Sequence, residues 1–111
     1  MIMEIEAAHT ITDSYTRIVI FLKSNGEPVD ADITAIVSFT ESGIEQERIF
    51  LPLSGHGEPI DPVYPENESR FVSRIEKGIY QVLVKGKVSG ASARILARQG
   101  TYITEKVLEL K

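Results

Sequence analysis

The chain has two histidines, His9 and His56, and no cysteine among its 111 residues. A thiolate metal site and a disulfide framework are therefore excluded, since both need sulfur ligands or partners. His56 lies in Ser54-Gly55-His56-Gly57-Glu58, and Asp61, Glu66 and Glu68 follow closely. Three carboxylates on one loop could gather a Ca²⁺ ion, because hard cations want several oxygens. Their spacing matches no calcium-loop pattern, and a solvated acidic loop is the simpler reading. Ser54 and His56 do not make a nucleophile elbow, as no Gly-x-Ser-x-Gly segment is present. Ser54-Gly55-His56-Gly57 also lacks the lysine and the following helix of a phosphate loop. No pair stands out for acid–base hydrolysis among the sixteen acidic residues, most of which alternate along strand-like segments. Neither an enzyme nor a cofactor is expected.

The same stretch has a second character. Pro59, Pro62 and Pro65 recur every third residue, a period that suits a polyproline II turn. An extended crossover between strands explains it as well. Connections this long are commonly functional, so His56 and Tyr64 are the loop's candidate contacts. Asn67-Glu68-Ser69 fits a glycosylation sequon, which matters only in a glycosylating secretory route.

Charge divides the chain. Met1 to Ser69 carries 3 Lys/Arg against 13 Asp/Glu, and Arg70 to Lys111 carries 9 against 3, within a total of -4. Interleaved apolar residues show that neither part is a charged tail. Either oppositely charged strands lie side by side, or an acidic face and a basic face stack between molecules. The acidic total and sparse tyrosines argue against nucleic acid. Size fits one domain spanning 1–111, as globular domains cluster at roughly 100–150 residues. The longest apolar run, Ile18-Val19-Ile20-Phe21-Leu22, is far short of the ~20 residues of a spanning helix, so membrane insertion is not expected. The start lacks the basic and apolar regions of a signal peptide, and Met1 is what a free-standing small protein is expected to begin with, as would a cloned fragment with an added Met.

The elements that must position any site are strands. Residues 2–9 alternate. Tyr15 to Lys23 puts Ile18, Ile20 and Leu22 on one face, and Ile33 to Thr40 does so with Ile33, Ala35, Val37 and Phe39. Ile44 to Leu53 groups Ile49, Leu51 and Leu53, Arg70 to Ile75 groups Phe71 with Ile75, and Ile79 to Val88 groups Tyr80, Val82 and Val84. Asn25-Gly26-Glu27-Pro28, Ser42-Gly43, Lys77-Gly78 and Gly100 are turn chemistry. The last segment fits a two-turn helix through Ile103, Val107 and Leu110, but a strand agrees with the rest of the chain. Many short strands at this spacing predict a sandwich or a barrel.

Two segments resemble the immunoglobulin-like sandwiches of the bacterial Ig-like, filamin-like and transthyretin-like kind. Ser24-Asn25-Gly26-Glu27-Pro28-Val29-Asp30-Ala31-Asp32-Ile33 is similar to their turn between early strands, and Gly78-Ile79-Tyr80-Gln81-Val82-Leu83-Val84 to a later strand. They cover about a sixth of the chain. The resemblance implies an all-β, Ig-like antiparallel β-sandwich of about 7–9 strands. It gives Gly26, Pro28, Gly78 and Tyr80 structural roles, with Tyr80 as a tyrosine corner bonding back to backbone. It also implies a non-enzymatic structural or assembly module of a virion, filament or surface.

With Ile18, Ile20 and Leu22 inward, Val19 and Phe21 point outward; with Phe71 and Ile75 inward, Val72 points outward. In an Ig-like topology those strands are neighbours, so Val19, Phe21 and Val72 would form an apolar interface strip flanked by Arg17, Lys23, Arg70 and Arg74, or a surface that the long loop or a terminal strand covers. A one-residue slip would erase it. Terminal strands with unpaired edges would also invite strand addition. The expected partner is a protein or a second copy. The alternative is a carbohydrate- or ligand-binding sandwich that uses the 54–69 loop, with Tyr64 as a stacking platform.

Overall fold

A computed structural model describes residues 2–52, 71–86, 88 and 90–111, and every regular element in it is a strand. The strands are β1 (Met3–Ile11), β2 (Tyr15–Ser24), β3 (Glu27–Pro28), β4 (Asp32–Glu41), β5 (Ile44–Pro52), β6 (Phe71–Glu76), β7 (Ile79–Lys85), β8 (Ala91–Gln99) and β9 (Tyr102–Leu110). The all-β expectation holds, and the last segment is a strand. Among the described residues no helix is long and apolar enough to cross a membrane.

The path through the sheet is β1-β2-β7-β6-β5-β4-β8-β9, with β3 paired to β2. Two antiparallel halves make it up, β1-β2-β7-β6 and β5-β4-β8-β9. They are not separate sheets, as a simple sandwich requires. A short parallel pairing, Leu51 with Phe71 and Pro52 with Val72, joins β5 to β6. On the other side β1 and β9 pack together without a backbone ladder. The His9 Nε2 lies 3.3 Å from both the backbone N and O of Lys111 there. The architecture is therefore a nearly closed barrel.

Alternation builds the core. Ile18, Ile20, Leu22, Val82 and Val84 enter from one half, and Ile33, Ala35, Val37, Ala93, Ile95 and Ala97 from the other. Full burial of an Ile, Leu or Val contributes about 1.5–3 kcal/mol. The alanines of β8 keep that strand thin where bulky side chains face it, which lets the interior reach close packing. Buried Thr16 accepts from the Val88 N–H at 3.1 Å, and its hydroxyl donates to the Gly86 carbonyl at 3.3 Å.

Facing differs from expectation on the two strands of the parallel seam. Phe71 and Ile75 are exposed and Val72 is buried, so Val72 belongs to the core and not to an outer strip. On β5 it is Phe50 that enters the core, while Ile49 and Leu51 face out. Each is a one-residue reversal, and with a period of two that turns over the whole strand. β7 moreover separates β2 from β6, so Phe21 and Val72 are not on neighbouring strands.

Turns set the registers. Asn25 and Gly26 (φ 54° and 79°) link Ser24 to its partner Glu27, and Ser42 and Gly43 (54° and 78°) link Glu41 to Ile44. Positive φ at both central residues matches the strand twist, as in a type I′ turn. Gly78, at φ 75°, is more constrained. A Cβ there would stand 2.8 Å from the Leu22 carbonyl oxygen and 2.9 Å from the Pro28 Cβ. Its carbonyl also accepts from the Leu22 N–H at 2.7 Å. Gly26 has open space around the same position. Gly78→Ala is expected to lower stability by about 2–4 kcal/mol, from left-handed strain plus the clash. Gly26→Ala should lower it by about 1–2 kcal/mol, from strain alone. Urea denaturation of both variants checks the order; equal losses would remove the special role given to the Gly78–Pro28 contact.

Candidate functional site

Polar chemistry concentrates around Asp30, between β3 and β4. Its carboxylate accepts from Arg74 of β6 in a two-pronged pair, Nε to Oδ1 at 3.2 Å and Nη2 to Oδ2 at 3.0 Å. Oδ1 also accepts from the Gly78 N–H at 2.9 Å and lies 3.0 Å from the Tyr80 hydroxyl. That hydroxyl accepts from the Ala31 N–H at 3.0 Å and stands 3.2 Å from the Ala31 carbonyl. Tyr80 thus ties back to backbone, as a corner tyrosine would, at the approach to β4. Burial works to raise the Asp30 pKa, yet the Arg74, Gly78 and Tyr80 hydrogen bonds outweigh it and hold the carboxyl below its ordinary value. Burial, assisted by the neighbouring carboxylate, pushes the Tyr80 phenol up to about 12.

These groups saturate one another. Among the described residues every buried side-chain nitrogen or oxygen has a partner, and no group of three or more His, Asp or Glu could hold a metal. Asp30 and its donors therefore form a structural clasp. Gly26, Pro28, Gly78 and Tyr80 take part in the fold's turns and corner. The pairing of Asp30 with Arg74 is not expected from the sequence, although Asp30 lies inside the early turn segment. Nothing in spacing alone connects it to an arginine 44 residues later. His56, Tyr64 and the carboxylates Asp61, Glu66 and Glu68 lie outside the described residues.

The outer faces hold the remaining candidates. Val19 and Phe21 point outward from β2 as expected and are half-buried, beside Ile79 and Leu83 of β7. Gln81, on the same face, is buried and accepts from the Arg17 Nε at 2.8 Å. Phe71 and Ile75 of β6 are exposed in this half, and the face on β5-β4-β8-β9 also carries exposed apolar residues. Ile49, Leu51, Ile103 and Val107 are 47%, 50%, 59% and 52% exposed. The register aligns Ile49, Ile36, Arg94 and Val107 in one row across four strands. Leu96 adds a half-buried side chain on β8, and the Arg94 Nε lies 3.0 Å from Glu105 Oε1. The alternation groups Ile49 with Leu51 but does not say which side of β5 faces out, because Phe50 between them is apolar too. The apolar residues on both faces of β4, Ile36 among them, were the available signal.

The clasp makes stability depend on pH at both ends. The Asp30 pKa is depressed, so its contribution is present above the ordinary carboxyl range and fades as pH falls through and below it. The Tyr80 pKa is raised, so its contribution is complete below about pH 10 and is lost as pH rises toward about 12. Tyr80→Phe should lower stability by about 1–3 kcal/mol at neutral pH, because the Ala31 amide loses its partner. It should also flatten the alkaline decline, and Asp30→Asn the acid one. Denaturant titrations across pH measure both, and unchanged slopes would refute the clasp.

Comparison with protein-family models, with curated proteins and with solved structures gives no match, so the Ig-like resemblance stands on its two segments alone.

Proposed function

We propose that the chain is a non-enzymatic assembly module that binds a protein surface through the outer face of β5-β4-β8-β9. One observation carries this reading: Ile49, Leu51, Ile103 and Val107 stay about half exposed on one outer face. Extended apolar patches rimmed by polar groups mark interaction sites on soluble domains. Arg94, held by Glu105, supplies a charged group at the patch centre, and Glu47 and Glu109 stand at its rim. The face consists of paired strands, so it is preformed and loses little entropy on binding.

The finer fold reading belongs with this proposal. The two halves act as the sheets of an Ig-like sandwich whose sides are closed by the β5–β6 pairing and by β1 against β9, and the Tyr80 corner supports it. Such modules suit repeating structures, including filaments, virions and surface assemblies. The face offers a partner flat contact, whereas β1 and β9 lie against each other and present less free edge.

Replacing Ile49 and Val107 together by Glu should leave the fold intact, since exposed positions usually change stability by about 0.5 kcal/mol or less. Circular dichroism checks that. Gel filtration of extract from the native source, with this chain detected, should place the wild type in a complex larger than the monomer. The double variant should elute as the monomer. Identical elution of the two would defeat the reading.

A further inference from the structure

The two outer faces complement each other. On β5-β4-β8-β9 the acidic end is formed by Glu45, Glu47 and Glu109, all exposed, with Glu47 and Ser92 both paired to Ser38 and Glu109 paired to Ser92. On β1-β2-β7-β6 the apolar strip of Val19, Phe21, Ile79 and Leu83 ends at exposed Arg17 and Lys85. Arg17 is paired to Leu83 and Lys85 to Tyr15, so the two cations share one end of their face.

Those two charged ends lie at the same end of the molecule. Arg48, the residue after Glu47, donates from Nη1 to the backbone carbonyl of Lys85 at 3.0 Å, across the two halves. The strand directions agree. β4 and β9 run toward the Glu47 and Glu109 end, and β7 runs toward Lys85 at that same end. At the opposite end both faces are mixed in sign: Glu4 is paired to Lys23 on the outer face of β1-β2, and Arg98 to Asp32 on the outer face of β8-β4.

We infer that the partner of the outer face is a second copy of this chain, stacked head to tail. This rests on the assembly reading above. A copy moved along the sheet normal, without being turned over, lays Arg17 and Lys85 over the partner's acidic end. The same displacement brings together the mixed-sign ends, Glu4 with Lys23 and Asp32 with Arg98, so the charge selection comes from Arg17 and Lys85. Between them, the strip of Phe21 and Ile79 meets the Ile36, Leu96 and Val107 surface. Packed sheets sit about 10 Å apart with strands about 30° from parallel. Turning one copy over about the strand direction would instead bring the two acidic ends together, and like charges oppose that. Each copy keeps one face of either kind free, so the contact is heterologous and the stack is open-ended. A four-stranded face about 19 Å by 30 Å offers roughly 570 Å². Specific interfaces bury about 800 Å² per partner, so the contact is of modest strength.

The test uses the purified full chain in sedimentation velocity. Wild type should form a concentration-dependent series that runs beyond the dimer and weakens with added salt. Arg17→Glu with Lys85→Glu should weaken association about tenfold or more, a loss of about 1.4 kcal/mol per tenfold. Glu47→Lys with Glu109→Lys should do the same. Mixing the two double variants should restore association, because each supplies the charge that the other has reversed. Circular dichroism confirms that both remain folded. A wild type that stays monomeric at every concentration overturns the head-to-tail stack. So does a mixture that fails to associate, or an Arg17/Lys85 variant that associates like wild type. A monomeric purified chain that still elutes in a larger complex from extract, lost on changing Ile49 and Val107, leaves the assembly reading standing while this inference falls.

Discussion

The Asp30 carboxylate is the interaction on which the arrangement turns. The chain leaves the first half of the barrel at β3 and enters the second at β4, and Val29, Asp30 and Ala31 are the link. Without a fixed link, β4 could slide by one residue against the core. Arg74, the Gly78 amide and the Tyr80 hydroxyl fix it from the β6–β7 hairpin. The Gly78 carbonyl then holds the Leu22 amide, which ties the same hairpin to β2. Two segments distant in sequence meet at one carboxylate, and the hairpin joins them to a third, β2. β4 carries Ile33, Ala35 and Val37 inward and Ile36 outward, so its register decides what the core and the exposed face contain.

Strand content, the turns and the inner faces of β2, β4 and β7 were legible because their residues alternate cleanly and their glycines sit where positive φ is needed. β5 and β6 were misread for one reason. Ile49-Phe50-Leu51 and Phe71-Val72 are apolar on both faces, so alternation gives no parity there. Parity is set instead by the parallel seam and by pairing with β4 and β7. The Asp30–Arg74 pair was invisible for another reason: long-range ion pairs leave no periodic trace. The exposed face followed the parity error, since it depends on Ile49 and Leu51 pointing out.

The division of charge also acquires a structural meaning. Acidic and basic strands do lie side by side, with Asp32 paired to Arg98 and Glu105 bonded to Arg94. That interleaving lowers repulsion within the molecule. It does not cancel the charge locally, because Glu45, Glu47 and Glu109 collect at one end of one face and Arg17 and Lys85 at the matching end of the other. Internal pairing and external polarity thus coexist in the same sheet.

The way the barrel closes explains why its faces are better suited to contact than its edges. β1 and β9 run in the same direction around the sheet, as the alternating pairings and the single parallel seam require. Parallel closure needs slanted hydrogen bonds in register. Here the two strands pack without that ladder, and His9 meets the Lys111 backbone at one end. Each edge shields the other from strand addition, the usual hazard of an open sheet. Among the described residues the buried side-chain nitrogens and oxygens all have partners. Apolar surface that neither the core nor the edges absorb is left on the outer faces, where a flat partner can cover it.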